Sequence, residues 1–196
     1  MLLPKLNKYE IILASGSPRR QQLIAGLGVP FRVELPNEVE EIIPEELSLE
    51  KIPAHLAQVK STSFGRALTD NELLITADTV VLCNNQLLGK PTDKTDAERM
   101  LKMLSGNKHE VLTGVCFRTA KAQHIFTAQT FVYFRPLSIQ EIDYYIEHYK
   151  PYDKAGAYGA QEWIGYIGIE RIEGSYFNVM GLPMQQLYVE LEEFLS

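Results

Sequence analysis

Residues 11–20, Ile-Ile-Leu-Ala-Ser-Gly-Ser-Pro-Arg-Arg, constrain the fold of this chain more than any other stretch. Three apolar residues of strand type enter a turn of small residues, and Ser17-Pro18 reads as a helix N-cap followed by the first helical position. A strand-loop-helix unit results. The open N–H groups of the loop and of the first helical turn carry partial positive charge, so the junction suits an anion, phosphate above all. Arg19 and Arg20 add charge where a helix built for its own stability takes Asp or Glu, and that conflict points to a ligand. The alternative is an ordinary small-residue turn before a helix.

The length of 196 residues allows one domain, or one domain with two lobes, with ample material for a core. A formal net charge of -6 argues against a protein that coats a nucleic-acid polymer, so an anionic small molecule has to be met by a local basic cluster. No apolar run is long enough to span a bilayer, and Met1-Leu2-Leu3-Pro4 is interrupted by proline and Lys5 before a signal-peptide core forms. The expected location is therefore cytoplasmic, with no membrane partner. Cys83 and Cys116 make neither a metal-type pair nor a disulfide framework, and both read as buried small apolar residues.

Along the chain the pattern predicts a strand over 9–14, a helix over 18–27 stopped by Gly28, and a strand over 29–35. The acidic segment 37–41 follows, and Pro44 and Pro53 bracket entry to a helix carrying Leu56, Val59 and Phe64. Lys60 lies one turn after Leu56, which leaves two readings, a lysine near the inward face or a solvated one. Residues 73–82, Leu-Leu-Ile-Thr-Ala-Asp-Thr-Val-Val-Leu, form a strand of buried type with one carboxylate in its middle. A buried Asp78 is costly unless it bonds to nearby backbone, pairs with a charge or holds a cation.

Asn84-Asn85 turns the chain into 86–88, a hairpin that ends at Gly89-Lys90-Pro91. Lys90 thus sits on a constrained loop, either facing a ligand or exposed on the turn. A helix is expected over 95–104, strands over 110–119 and 124–135, and a helix over 138–149 opened by a capping box of Ser138 and Glu141. The short link at 120–123 makes the two strands an antiparallel pair and the sheet a mixed one. His109, His124 and His148 lack metal-type spacing and read as surface or capping residues. The segment 151–161, Pro-Tyr-Asp-Lys-Ala-Gly-Ala-Tyr-Gly-Ala-Gln, fits neither period. Its tyrosines and terminal amide suit a flat polar ring, the alternative being an ordered connection. Strands over 166–172 and 176–179 and a last helix after Pro183 complete the pattern.

In these stretches the chain resembles the Maf family of nucleoside triphosphate pyrophosphatases. The resemblance is carried by residues 14–20, Leu56-Ala57 with Lys60, 77–81, Gly89-Lys90-Pro91, Leu104-Ser105-Gly106 with His109, 153–161, and 174–183, in family order over nearly the whole of 1–196. It implies a single Maf-like domain of α/β class, similar to the inosine triphosphate pyrophosphatases, with an elongated mixed sheet and two lobes around a central cleft. It also implies hydrolysis of a nucleoside triphosphate to the monophosphate and pyrophosphate, assisted by a divalent Mg²⁺ or Mn²⁺ ion.

By position, Asp78 resembles the family's catalytic proton acceptor, and Glu41, in preference to Glu40, its acidic partner at the metal. Ser15, Arg20, Lys60 and Lys90 would bind the polyphosphate. Arg19, Thr79 and Gln161 match the subgroup that acts on dTTP and UTP, so a pyrimidine substrate is implied, modified pyrimidines included. The family likeness further implies a homodimer, a role in cleansing the nucleotide pool and a link to septum formation. Two rival readings are a non-catalytic nucleotide-binding regulator of cell division and a purine-type pyrophosphatase. Thr76, where the family often has glycine, and Tyr149-Lys150-Pro151, where it usually has Gly-Glu-Pro, are departures that touch no proposed catalytic position.

Overall fold

The computed structural model describes residues 1–35 and 42–196. Its sheet follows the order β2-β1-β3-β5-β6-β7, with β4 paired to β3. The strands are β1 (Glu10–Leu13), β2 (Phe31–Val33), β3 (Glu72–Cys83), β4 (Gln86–Leu88), β5 (Lys108–Arg118), β6 (Gln123–Phe134) and β7 (Ile169–Glu173). Both β2 and β3 run parallel to β1, whereas β4 and β7 pair antiparallel with β3 and β6. The mixed sheet expected from the sequence is thus present. β5 and β6 are neighbours joined by a tight turn in which the Thr119 N–H donates to the Ala122 carbonyl at 2.9 Å.

The chain divides into two compact units, neither continuous in sequence. The first comprises 1–78, 113–128 and 181–196. It holds α1 (Leu3–Leu6), α2 (Pro18–Ala25), α3 (Ile52–Thr62) and α8 (Met184–Phe194) beside the parallel strands. Apolar residues of β1 and β3 are buried on both faces of the sheet, as a parallel sheet with helices on both sides demands. Lys5 Nζ donates to the Glu192 carbonyl at 2.8 Å and the Leu2 N–H to the Tyr188 hydroxyl at 3.0 Å, which ties α1 to α8.

The second unit comprises 79–112 and 129–180 and holds α4 (Lys94–Leu104), α5 (Ile139–Tyr149), α6 (Trp163–Gly168) and α7 (Tyr176–Val179). Its core is formed by Met100, Leu101 and Leu104 of α4 and by Ile142, Tyr145 and Ile146 of α5, packed with Val111, Val132 and Phe134 of the sheet. The capping box at Ser138 and Glu141 forms as expected. Cys83 and Cys116 are free and buried, also as expected.

Three expectations fail, each for a physical reason. The predicted strand over 166–172 forms only from residue 169, in β7, while 166–168 belong to the short helix α6, because Ile164, Ile167 and Gly168 also satisfy helical spacing and a short apolar run does not separate the two periods. The predicted strand over 176–179 is the helix α7, since the Ser175 side chain accepts from the Asn178 N–H at 3.3 Å and nucleates a turn. That turn brings the Asn178 side chain onto the Val111 carbonyl and the Thr130 hydroxyl, both at 3.0 Å. His109 is no surface or capping residue. It is 1% exposed on β5, between Phe134 and Tyr158, where the strand's pattern places it inward.

Candidate active site

The first unit builds its site just beyond the C-terminal end of β1 and against the middle of β3, near the usual place for a ligand in an open α/β sheet. Leu13 of β1 pairs with Ile75 of β3, so Ser15 and Asp78 each lie a few residues past that register. Beyond β1 the chain turns through small residues into α2. There the Ser17 N–H donates to Ser15 Oγ at 3.3 Å, and the Ser17 hydroxyl accepts from the Arg20 N–H at 3.5 Å. The N-cap and the Pro at N1 read from the sequence are both in place.

Arg20 ties three parts of the site together. Its Nε donates to the Gly181 carbonyl at 2.8 Å, and its Nη1 to the Ala77 carbonyl at 2.8 Å and to Ser15 Oγ at 3.5 Å. Burial pulls its pKa below the ordinary guanidinium value, and the charge of Asp78 opposes that pull. The guanidinium therefore fixes the backbone immediately before Asp78 while its charge stays beside the carboxylate.

Helix α3 supplies the second cation. Lys60 Nζ forms an ion pair with Asp78 Oδ1, both side chains being largely covered, at 24% and 15% exposed. The lysine is therefore on the inward face. One rung below, the fully buried Thr76 hydroxyl donates to the Ala57 carbonyl at 2.7 Å. Thr76 and Asp78 share a face of β3 by the two-residue strand period, and Ala57 and Lys60 share a face of α3 by the i, i+3 spacing. Strand and helix are thus held by two rungs, of which the upper is the Lys60–Asp78 pair.

Five residues expected at the site, Ser15, Arg19, Arg20, Lys60 and Asp78, lie in the first unit. Arg19 follows the Ser-Pro pair, and its charge lowers the pKa of Arg20. Thr79, Lys90 and Gln161 belong to the second unit. Thr79 follows Asp78 along β3 and Lys90 is exposed after β4. Gln161 is half-buried, and its Oε1 is buried with no hydrogen-bond partner among the described residues. Glu41 and Glu40 lie outside the described residues. Among the described residues no group of three or more His, Cys, Asp or Glu side chains could hold a metal ion.

The segment 151–161 differs from the stacking platform that its composition suggested. Tyr158 is buried, its hydroxyl 2.8 Å from His109 Nε2 and its ring edge-on to Phe134, so it serves the core and not a ligand ring. Burial pushes its phenol well above the ordinary tyrosine value. Sequence reasoning also missed Tyr145, Glu162 and Lys154, whose contacts form only after α5 and this segment have packed. A lysine buried to 7% exposure needs charged partners, and Lys154 has two, Asp153 at 2.7 Å and Glu162 at 3.0 Å.

Residues 10–194 match the family described as Maf-like protein. Among curated relatives, a dTTP/UTP pyrophosphatase of Phocaeicola vulgatus is 52% identical, covering 98% of this chain and 100% of that one. A dTTP/UTP pyrophosphatase of Porphyromonas gingivalis is 49% identical over 98% of each chain, and one of Flavobacterium johnsoniae is 51% identical over 96% of each. A solved structure of a HAM1 protein from Coxiella burnetii matches at a TM-score of 0.48 and 16% identity, over 94% of this chain and 99% of that one, too distant to bear on function. With the family match spanning nearly the full chain and relatives at half identity end to end, this protein is a member of the Maf-like family.

Proposed function

We propose that this protein hydrolyses dTTP and UTP to the nucleoside monophosphate and pyrophosphate, cleansing the nucleotide pool. The observation that carries the reading is the Lys60–Asp78 pair on β3, past the end of its parallel pairing with β1 and beside the Arg20 guanidinium. The relatives named dTTP/UTP pyrophosphatase support the same reaction, and the family match over 10–194 supports a single Maf-like domain.

Asp78 is the carboxylate available to take the proton of an attacking water. Lys60, bonded to one of its oxygens, holds its orientation and adds positive charge where a triphosphate binds. Ser15 and the capped start of α2 offer donors for phosphate oxygens, with Lys90 as a further cation. Removing one such contact to a transition-state charge costs about 10²–10³ in rate.

The donor set suits a divalent ion of the magnesium type. Such ions are held by one or two carboxylates together with substrate phosphates, and a single carboxylate with no soft or imidazole cluster among the described residues is that pattern. Asp78, with Glu41 by family position, would hold the ion, which supplies charge neutralisation on the phosphates. Gln161 supports uracil and thymine over cytosine. Its buried, unpartnered amide oxygen is an acceptor that the N3–H of uracil or thymine satisfies, and cytosine lacks that donor. A homodimer follows from the same family reading, and a cytoplasmic location belongs to the same proposal.

The test is a panel of dTTP, UTP, CTP, 7-methyl-GTP and ITP with product analysis, alongside Asp78→Asn. UMP and pyrophosphate from UTP, and loss of that release in a folded Asp78→Asn protein, support the proposal. UTP recovered intact, or near-normal turnover by the variant, removes it.

A further inference from the structure

Within the second unit, the loop that carries Gln161 is fastened by a chain of buried polar contacts that the proposed reaction does not itself require. The Gly159 N–H donates to the Tyr145 hydroxyl at 3.0 Å, and that hydroxyl donates in turn to the Glu162 carboxylate. The other Glu162 oxygen lies 3.0 Å from Lys154 Nζ, which also bonds Asp153 at 2.7 Å. Tyr145 is fully buried and Lys154 nearly so. Burial, followed by the bond to Glu162, raises the Tyr145 phenol far above its ordinary value, so its proton stays in place as a donor.

The contacts join residue 153 at one end of the loop to residue 162 at the other, with Gln161 inside the ring they close. Space around the ring is tight. A Cβ on Gly159 would lie 2.9 Å from Glu162 Cδ and 3.1 Å from Lys154 Cε. The same loop contacts chain neighbours of the other expected site residues of this unit. The Gly156 N–H donates to the Gly89 carbonyl, next to Lys90, at 3.0 Å. Gly156 itself, at φ +69, sits against Val81, two residues after Thr79.

We propose that Glu162, through Tyr145 and Lys154, is a positioning residue that sets nucleotide-base discrimination by holding Gln161. The physical reason lies in the Gln161 amide oxygen, buried without a partner among the described residues. A loop free to relax would turn such a group toward water, because burial without a bond forfeits its solvation. The ring prevents that relaxation and keeps the acceptor available for a base. A preorganised acceptor of this kind discriminates between bases that carry the matching donor and bases that do not.

The inference rests on the reading of Gln161 as a base-selecting residue, and three variants separate the two claims. kcat and KM for UTP, CTP and ITP, with the melting temperature, are measured for Glu162→Gln, Tyr145→Phe and Gln161→Ala. The ring predicts that Glu162→Gln lowers the preference in kcat/KM for UTP over CTP by about ten- to a hundredfold, as expected for a group displaced by about 1 Å. The loss appears mainly as a raised KM for UTP, with Tyr145→Phe giving a smaller change of the same kind. An unchanged preference in a folded Glu162→Gln protein, or an equal loss on all three nucleotides that follows melting temperature alone, overturns the positioning role. If Glu162→Gln does not fold, Tyr145→Phe decides by the same criteria. A Gln161→Ala protein with the native preference overturns the base-selecting reading itself, and the positioning role with it.

Discussion

Replacing Gly114 with alanine tests whether the close approach of β5 to α3 sets the position of Lys60. A Cβ at residue 114 would lie 2.2 Å from both the carbonyl carbon and the oxygen of Pro53, and 2.3 Å from the Ala54 nitrogen. Real Cβ contacts essentially never fall below 3.0 Å, so opening from 2.2 Å requires a shift of at least 0.8 Å. The obstacle is main chain in the first turn of a helix, which has no rotamer to change. Inserting a methyl into a close-packed site costs about 1–3 kcal/mol, and this site belongs at the upper end because nothing nearby can give.

At roughly 2–4 °C per kcal/mol for a chain of this size, Gly114→Ala is expected to melt about 6–12 °C below the parent. The displaced helix also carries Lys60, and a shift near 1 Å in a positioning group costs on the order of a hundredfold in kcat/KM. Thermal unfolding followed by circular dichroism, with kcat/KM for UTP at a temperature where both proteins are folded, reads the two effects separately. A parental melting temperature refutes the packing argument. A large drop in melting temperature with parental kcat/KM refutes the claim that β5 sets the Lys60–Asp78 geometry through α3.

Thr76→Val removes the hydroxyl bond to Ala57, the lower of the two rungs, at nearly constant volume. It should cost about 1 kcal/mol and lower kcat/KM for UTP, whereas Thr76→Ser, which keeps the bond, should recover the rate in the same kinetic assay. His109 should make the protein acid-sensitive, because burial lowers its pKa to about 3 from an ordinary 6.5. Between those values the unfolded chain takes up a proton that the folded chain refuses. The stabilisation is complete above pH 6.5 and is lost at about 1.4 kcal/mol per unit as pH falls, about 2 kcal/mol by pH 5. Denaturant midpoints measured from pH 7 to pH 5 should therefore decline less steeply in His109→Gln than in the parent.

The order of strands and helices was largely legible because each long element carries its own period. The amphipathic spacing of α4 and α5, the buried-type run of β3 and the capping box at Ser138 are local signals, and the structure follows them. The reading failed at 166–168, where a short run fits both periods, and at 176–179, where a capping serine outweighed β-branched and aromatic composition. It failed again at His109, since nothing in its neighbours along the chain shows that Phe134 and Tyr158 enclose it.

The sequence by itself determined the parts of the candidate site that reside in short segments: the small-residue turn at Ser15–Ser17, the lone Asp78 in an apolar strand, and the basic pair Arg19-Arg20. Only the tertiary structure decided which side chains meet. Lys60 reaches Asp78 across 18 positions, Arg20 reaches the Gly181 carbonyl across 161, and Thr76 fastens to Ala57 across 19. Such contacts depend on how a helix face and a strand face lie against each other. Backbone packing fixes that geometry, and Gly114 against Pro53 is one place where it does so.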